Sequence, residues 1–141
     1  MRARLGFSAL LAATVALITL GLLATVRRVA VEGGSMAPAL LPGDRLIVTR
    51  WSMVLGRPPD VGDIVAVRDP RLPERVLIKR VTSIDPTLGT FEVMGDARNA
   101  SADSRQFGPV HRSGILGKAV YRYAPATRSG PGPWPGEYHS A

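Results

Sequence analysis

Two residue types decide which chemistry this chain can run. Cysteine is absent and histidine occurs only as His111 and His139. Thiol nucleophiles, disulfides and thiolate or multi-histidine metal sites are therefore excluded, and a Ser-His-Asp triad would rest on one isolated imidazole. His111 has no apolar frame before it, and His139 lies in a stretch crowded with Pro and Gly. Lysine draws attention for a different reason: arginine is used 16 times and lysine twice, as Lys79 and Lys118. Burial can strip a lysine of its proton, whereas arginine stays charged, so a lysine in an arginine-rich chain is a candidate base. Lys79 stands in the apolar run Arg75-Val76-Leu77-Ile78-Lys79-Arg80-Val81, where strand alternation puts Leu77, Lys79 and Val81 on one face. An isolated lysine there also reads as a rim residue that carries its head to water. Lys118, between Gly117 and Ala119, fits that plainer reading better.

A nucleophile to match is Ser35, in Glu32-Gly33-Gly34-Ser35-Met36-Ala37-Pro38-Ala39-Leu40. Two glycines allow another backbone to approach closely, and Pro38 fixes the exit direction, so Ser35 can be presented on an exposed bend beside a bound peptide. Taken alone, the same segment reads as an ordinary loop. A third segment, Met94-Gly95-Asp96-Ala97-Arg98-Asn99-Ala100-Ser101-Ala102-Asp103-Ser104-Arg105-Gln106-Phe107-Gly108, is dense in polar side chains. If it is extended, Ser101, Asp103 and Arg105 share a face, with Asp103 and Arg105 paired and Ser101 free to orient an amine; its plainer reading is a solvated turn. Ser104 is given no role.

These segments need a scaffold. Residues 5–26 carry no charge, and at about 1.5 Å per residue they reach about 33 Å, enough for a hydrocarbon core of about 30 Å. A cleaved signal peptide would have a shorter apolar stretch and an A-x-A-like exit, neither of which is present. The expectation is one uncleaved N-terminal transmembrane anchor over residues 1–28, with Arg2 and Arg4 on one side and Arg27 and Arg28 on the other, so charge does not decide its orientation. Beyond it, apolar runs rich in β-branched residues predict strands at 45–49, 63–67, 76–84, 91–94 and 115–123, punctuated by Pro-Gly-Asp and Gly-Asp turns. The expected domain, residues 29–123, is all-β, a small barrel or bent antiparallel sheet. Residues 124–141, with Pro125, Pro131, Pro133 and Pro135, read as a disordered tail. Without residues 1–28 the chain has 14 basic against 11 acidic residues, an ordinary surface, and it lacks the basic-aromatic stripe of a nucleic-acid binder.

Taken in order behind an N-terminal anchor, Ser35-Met36-Ala37-Pro38-Ala39-Leu40, Gly43-Asp44, Gly62-Asp63-Ile64-Val65, Lys79-Arg80-Val81, and Gly95-Asp96 through Ser101-Ala102-Asp103-Ser104-Arg105 with Gly108 resemble the type I signal peptidases, Ser/Lys membrane proteases. The resemblance implies an almost entirely β fold and a membrane-anchored serine endopeptidase that removes signal peptides from exported preproteins. In it Ser35 is the nucleophile, Lys79 the general base and Ser101 its hydrogen-bonding orienter, with Asp103 and Arg105 supporting the loop. It further implies a substrate peptide added as a strand beside Val31, Glu32, Gly33, Gly34, Ser35 and Met36, with small side chains at the first and third positions before the cut. No cofactor and no metal are expected, and the partners are preprotein signal peptides and membrane lipid. The implied location is the cell membrane, crossed once, with the catalytic domain on the extracytoplasmic side.

Departures from the family pattern are Gly33, where many members carry a hydroxyl that helps the oxyanion, Ala97 in place of Asn and Ala39 in place of Thr. The short interval 82–94 has no room for the large second domain of some members, so the chain is a minimal form. Two other roles compete with general signal peptide removal. One is a dedicated maturation protease for a single partner, such as nickel superoxide dismutase; the other is a non-catalytic anchored β-domain that binds peptides. A further apolar patch, Trp51, Met53, Val54 and Leu55 between Arg50 and Arg57, reads either as a lipid-contacting loop or as core packing.

Overall fold

The computed structural model describes residues 2–97, 99 and 102–136. Helix α1 (Arg2–Ala24) stands apart from the rest. Its Gly6–Ala24 stretch has a mean hydropathy of 2.3 and is 0% buried, long and apolar enough to cross a membrane. Thr14 and Thr19 direct their hydroxyls back onto the Leu10 and Val15 carbonyls, so neither presents an unpaired polar group to an apolar surrounding. The helix stops two residues before the end of the uncharged run. Thr25 closes it by bonding Leu22 O through both its N–H and its hydroxyl, and Val26 already belongs to a strand.

That strand, β1 (Val26–Ala30), opens an antiparallel sheet with β2 (Arg45–Thr49), β3 (Ile64–Arg68), β4 (Val76–Asp85), β5 (Thr90–Met94), β6 (Val110–His111), β7 (Ile115–Ala124) and β8 (Gly130–Pro131). The order is β1-β2-β7-β3-β4-β5-β6, with β8 on β7. The five strands expected from sequence all form, within a residue of their predicted ends. β1 was hidden because Val-Arg-Arg-Val-Ala reads as a membrane flank, and it becomes a strand by pairing Val26–Ala30 with Thr49–Arg45. Two one-turn helices, α2 (Trp51–Val54) and α3 (Ser104–Phe107), fall in loops.

Both faces of the sheet are covered. One packs Met36, Leu40, Leu46, Val48, Ile64, Ala66, Ile78, Leu116 and Trp134; the other packs Val65, Val67, Leu77, Val81, Phe91, Val93, Val110 and Ile115. Strands buried on both sides lose the apolar-polar alternation of a half-exposed sheet, which is why β3 reads as a continuous apolar run. At Gly117 the strands approach so closely that a Cβ would sit 2.8 Å from Thr49 O.

The two Gly-Asp turns are built alike. Gly43 and Gly62 both have a φ of 93°, a left-handed conformation that suits glycine. The following aspartate closes the turn: Asp44 accepts from Leu41 N–H and Asp63 from Asp60 N–H. Asp63 also pairs with Lys118 Nζ at 2.7 Å, which accounts for the second lysine as structural.

The tail departs from expectation over its described part; residues 137–141 lie outside the described residues. Residues 125–136 are folded onto the domain: β8 pairs with Tyr121 and Arg122 of β7, and Trp134 is 6% exposed in the core. Pro and Gly favoured disorder by composition, but a buried indole with Arg122 stacked 5.5 Å from its ring, the β8 pairing and the Arg128–Asp44 ion pair together work against the ordering cost. Arg122 and Arg128 both reach Asp44, fastening the segment to the first Gly-Asp turn.

Candidate active site

Ser35 sits in a 3-10 turn, Gly34–Met36, between β1 and β2. Its neighbours fix it from both sides. Met36 and Leu40 are 1% and 0% exposed in the core, while the Val31 N–H and C=O bond Asp44 O and Gly43 N. Val31, the expected peptide neighbour, thus spends its own backbone groups on the first Gly-Asp turn. By strand alternation the groups of Ala30 and Glu32 point to the opposite, outer edge of β1.

Lys79 lies in the middle of β4, opposite Val65 of β3, and is 2% exposed despite its charge-bearing head. Its Nζ stands 3.0 Å from Ser35 Oγ, across 44 residues of sequence. Burial is the main cause that pulls its pKa down from 10.5 to about 8; Arg75 and Arg105 push the same way, while Asp103 and Asp69 oppose. The cost of a buried ammonium outweighs the nearby carboxylates, so the amine loses its proton far more readily than a surface lysine.

The polar loop after β5 is only partly extended. Asp103 is fully buried and caps α3: it accepts from Arg105 N–H, pairs bidentately with the Arg105 guanidinium, and takes Gly95 N–H at 3.2 Å. The expected Asp103–Arg105 pair is present, on a helical turn in place of a strand, because an aspartate at an N-cap satisfies the orphan N–H groups that follow it. Ser101 lies outside the described residues.

Four contributions were not legible beforehand. Arg80, one residue after Lys79 and on the other face, forms a bidentate, buried pair with Asp96, at 2.8 Å and 2.7 Å, and also donates to Gly62 O. Asp96 is followed by Ala97, whose N–H holds Ser35 C=O at 3.0 Å. The Gly-Asp and Lys-Arg pairs were visible as motifs, but nothing in their spacing joins them. The third is Ser104: its hydroxyl accepts the N–H of buried Val93 at 2.8 Å, tying the loop to β5. Ser104→Ala is expected to leave that N–H unpaired and to cost about 1–3 kcal/mol, read from urea unfolding. The fourth, Trp134, is taken up below.

Between the outer edge of β1 and the first half of β4 runs a cleft of about 780 Å³, lined among others by Ala30, Glu32, Gly33, Gly34, Ser35, Val76, Ile78 and Lys79. The pairing of β4 with β5 begins at Arg80, so residues 76–79 run on past the end of β5. Two strand edges thus face a space that ends at the Ser35 hydroxyl and the Lys79 amine. An extended polypeptide fits such a space by adding to the sheet.

A small β domain behind a helix long and apolar enough to cross a membrane, with a cleft ending at a serine and a buried amine, is the architecture expected of a membrane-bound peptidase. A family model described as "Signal peptidase, peptidase S26" matches residues 2–87 and 87–124. The chain is 37% identical over 129 residues to the mitochondrial ATP-independent inner membrane protease subunit 1a of Arabidopsis thaliana, covering 77% of this chain and 70% of that protein. It is 35% identical over 137 residues to the mitochondrial inner membrane protease subunit 2 of Danio rerio, covering 83% and 73%. Over 142 residues it is 30% identical to a probable signal peptidase I-1 of Synechocystis, covering 71% and 72%. The chain belongs to the signal peptidase family, peptidase S26.

Proposed function

We propose that this protein is a serine endopeptidase that uses Ser35 and Lys79 to remove signal peptides from exported preproteins. The 3.0 Å contact between Lys79 Nζ and Ser35 Oγ, at an amine buried to 2% exposure, is the observation that carries the reading. With the ammonium protonated, Nζ donates to the hydroxyl. Once the amine is neutral the bond reverses, and Lys79 takes the Ser35 proton as Oγ attacks the scissile carbonyl. The tetrahedral intermediate collapses to an acyl-enzyme, with the proton passing from Lys79 to the leaving amine. A water, deprotonated by the same amine, then hydrolyses the ester and frees Ser35. Family resemblance assigns the oxyanion to the Ser35 backbone N–H, because Gly33 brings no hydroxyl, and gives Ser101 the task of orienting Lys79.

The substrate runs as a strand between residues 30–35 and 76–79, recognised through its backbone, which suits a repertoire of different preproteins. The domain faces the extracytoplasmic side of the cell membrane, where exported chains emerge. Arg50 N–H bonds Thr25 O at the foot of α1, and Leu55 close by is 57% exposed, which supports lipid contact at this end, although Met53 of the same patch packs into the core.

Incubation of the detergent-solubilised chain with a preprotein, beside Ser35→Ala, tests the function: cleavage after a small residue by the parent chain alone supports it, and cleavage by both refutes it. The pH dependence follows from Lys79. The neutral amine is the active form, so kcat/KM rises with pH through about 8. Stability has the same sign. The folded pKa lies below the unfolded one, so a penalty for burying the ammonium applies in full below about 8 and is relieved as pH climbs toward 10.5. A flat rate profile across that window counts against a proton-accepting Lys79.

A further inference from the structure

The family match ends at residue 124, yet the segment beyond it packs against Arg80 and Asp96, the neighbours in sequence of Lys79 and of the Ala97 that holds the Ser35 carbonyl. β8 adds to β7, Gly132 N–H bonds Val120 O, and Trp134 is buried in the cluster that contains Met36 and Leu40, the residues that seat the Ser35 turn. The Trp134 carbonyl accepts from Arg80 Nη2 at 2.9 Å, the same nitrogen that reaches Asp96 at 2.7 Å. Two residues on, Gly136 presses against the pair: a Cβ there would lie 2.1 Å from Asp96 Oδ2 and 2.8 Å from Arg80 Nη2.

The path from this pair to the reacting groups is short. Arg80 follows Lys79 in β4, and Asp96 precedes Ala97, whose N–H holds Ser35 C=O. We propose that residues 130–136 form a positioning strap for the active site, in which Trp134 and Gly136 confine the Arg80–Asp96 pair and so set the placement of Ser35 against Lys79. This rests on the Ser35–Lys79 reading above. A buried guanidinium holds its orientation only while its donors are met, and Gly62 O, Asp96 and Trp134 O meet them from three directions. Without the strap, water reaches the pair, the 95–97 turn loosens, and the hydroxyl and amine lose a fixed separation. Misplacement of about 1 Å at a reacting group costs up to about 10²-fold in rate.

The test uses the full chain in detergent micelles, as parent, Trp134→Phe, Trp134→Ala and Gly136→Val, each first shown by urea unfolding to be cooperatively folded. kcat and KM are measured on a preprotein, together with hydrogen exchange at the Ala97 amide and at the β2 amides. Trp134→Ala and Gly136→Val are expected to lower kcat by about ten- to a hundredfold with little change in KM, and to speed exchange at Ala97 while β2 stays protected. Trp134→Phe, which keeps an aromatic anchor for the carbonyl, is expected to stay close to the parent in both. Folded variants with parental kcat and parental Ala97 exchange would overturn the proposal, as would a kcat loss that only tracks the unfolded fraction. Should Trp134→Ala not fold, Gly136→Val decides, because it leaves Trp134 in place. If the parent cleaves no better than Ser35→Ala, the dyad reading fails, and the Ala97 exchange comparison still judges the strap by itself.

Discussion

Lys79→Arg is expected to lower kcat by about 10² to 10⁴, the contribution of a positioned general base, and Ser35→Ala to abolish acyl-enzyme formation altogether. Arginine keeps its proton at every accessible pH, so it can hydrogen-bond the Ser35 hydroxyl without ever accepting from it. A larger, permanently charged group at a site only 2% exposed also strains the fold, and Lys79→Met separates the two effects: it is neutral, of similar length, and its thioether is far too weak a base to take the proton. Turnover of a preprotein and urea unfolding are measured on both. Both variants should show that loss of kcat, with Lys79→Met at least as stable as the parent, since it removes a buried amine. Substantial turnover by either would sink the Ser/Lys mechanism.

The largest stability effect is expected at Asp96. Its pair with Arg80 is nearly dry, with side chains 5% and 2% exposed, so Asp96→Ala strands a guanidinium in the interior. Breaking a buried pair from one side costs about 3 to 5 kcal/mol, because the remaining charge has been taken out of water and keeps only the neutral Gly62 and Trp134 carbonyls, without a counter-charge. Arg71→Ala is the contrast. That arginine covers the buried Asp69 carboxylate from a side chain 45% exposed; its removal opens the carboxylate to water and leaves it the backbone N–H of residue 71, so the loss is expected to be the smaller of the two. Urea unfolding of the two variants should therefore give clearly different losses. Similar small losses would mean that the Arg80–Asp96 pair is not held as tightly as its distances indicate, and would weaken the strap proposal with it.

Local chemistry accounts for what was legible in advance. The uncharged N-terminal run, the Gly-Asp turns and the five β-branched strands each carry their signal within a few residues, and each took the expected form. The Ser35, Lys79 and Asp103–Arg105 segments were legible as residue types suited to nucleophile, base and support. The folded form of residues 125–136 was not, since Pro and Gly content speaks for the free chain and is silent about a cavity that one tryptophan can fill. Nor was β1, whose two arginines look like a membrane flank until β2 pairs with it. The contacts that build the site are long-range: Lys79 to Ser35 spans 44 residues, Arg80 to Trp134 spans 54 and Arg122 to Ala39 spans 83. By itself, then, the sequence determined the anchor, the class of fold and the chemical inventory, because those follow from neighbours along the chain. The tertiary structure alone decided that the amine is dry, that it meets the hydroxyl, and that Trp134 and Gly136 pack against the Arg80–Asp96 pair, because burial and distance arise only when strands far apart in sequence share one core.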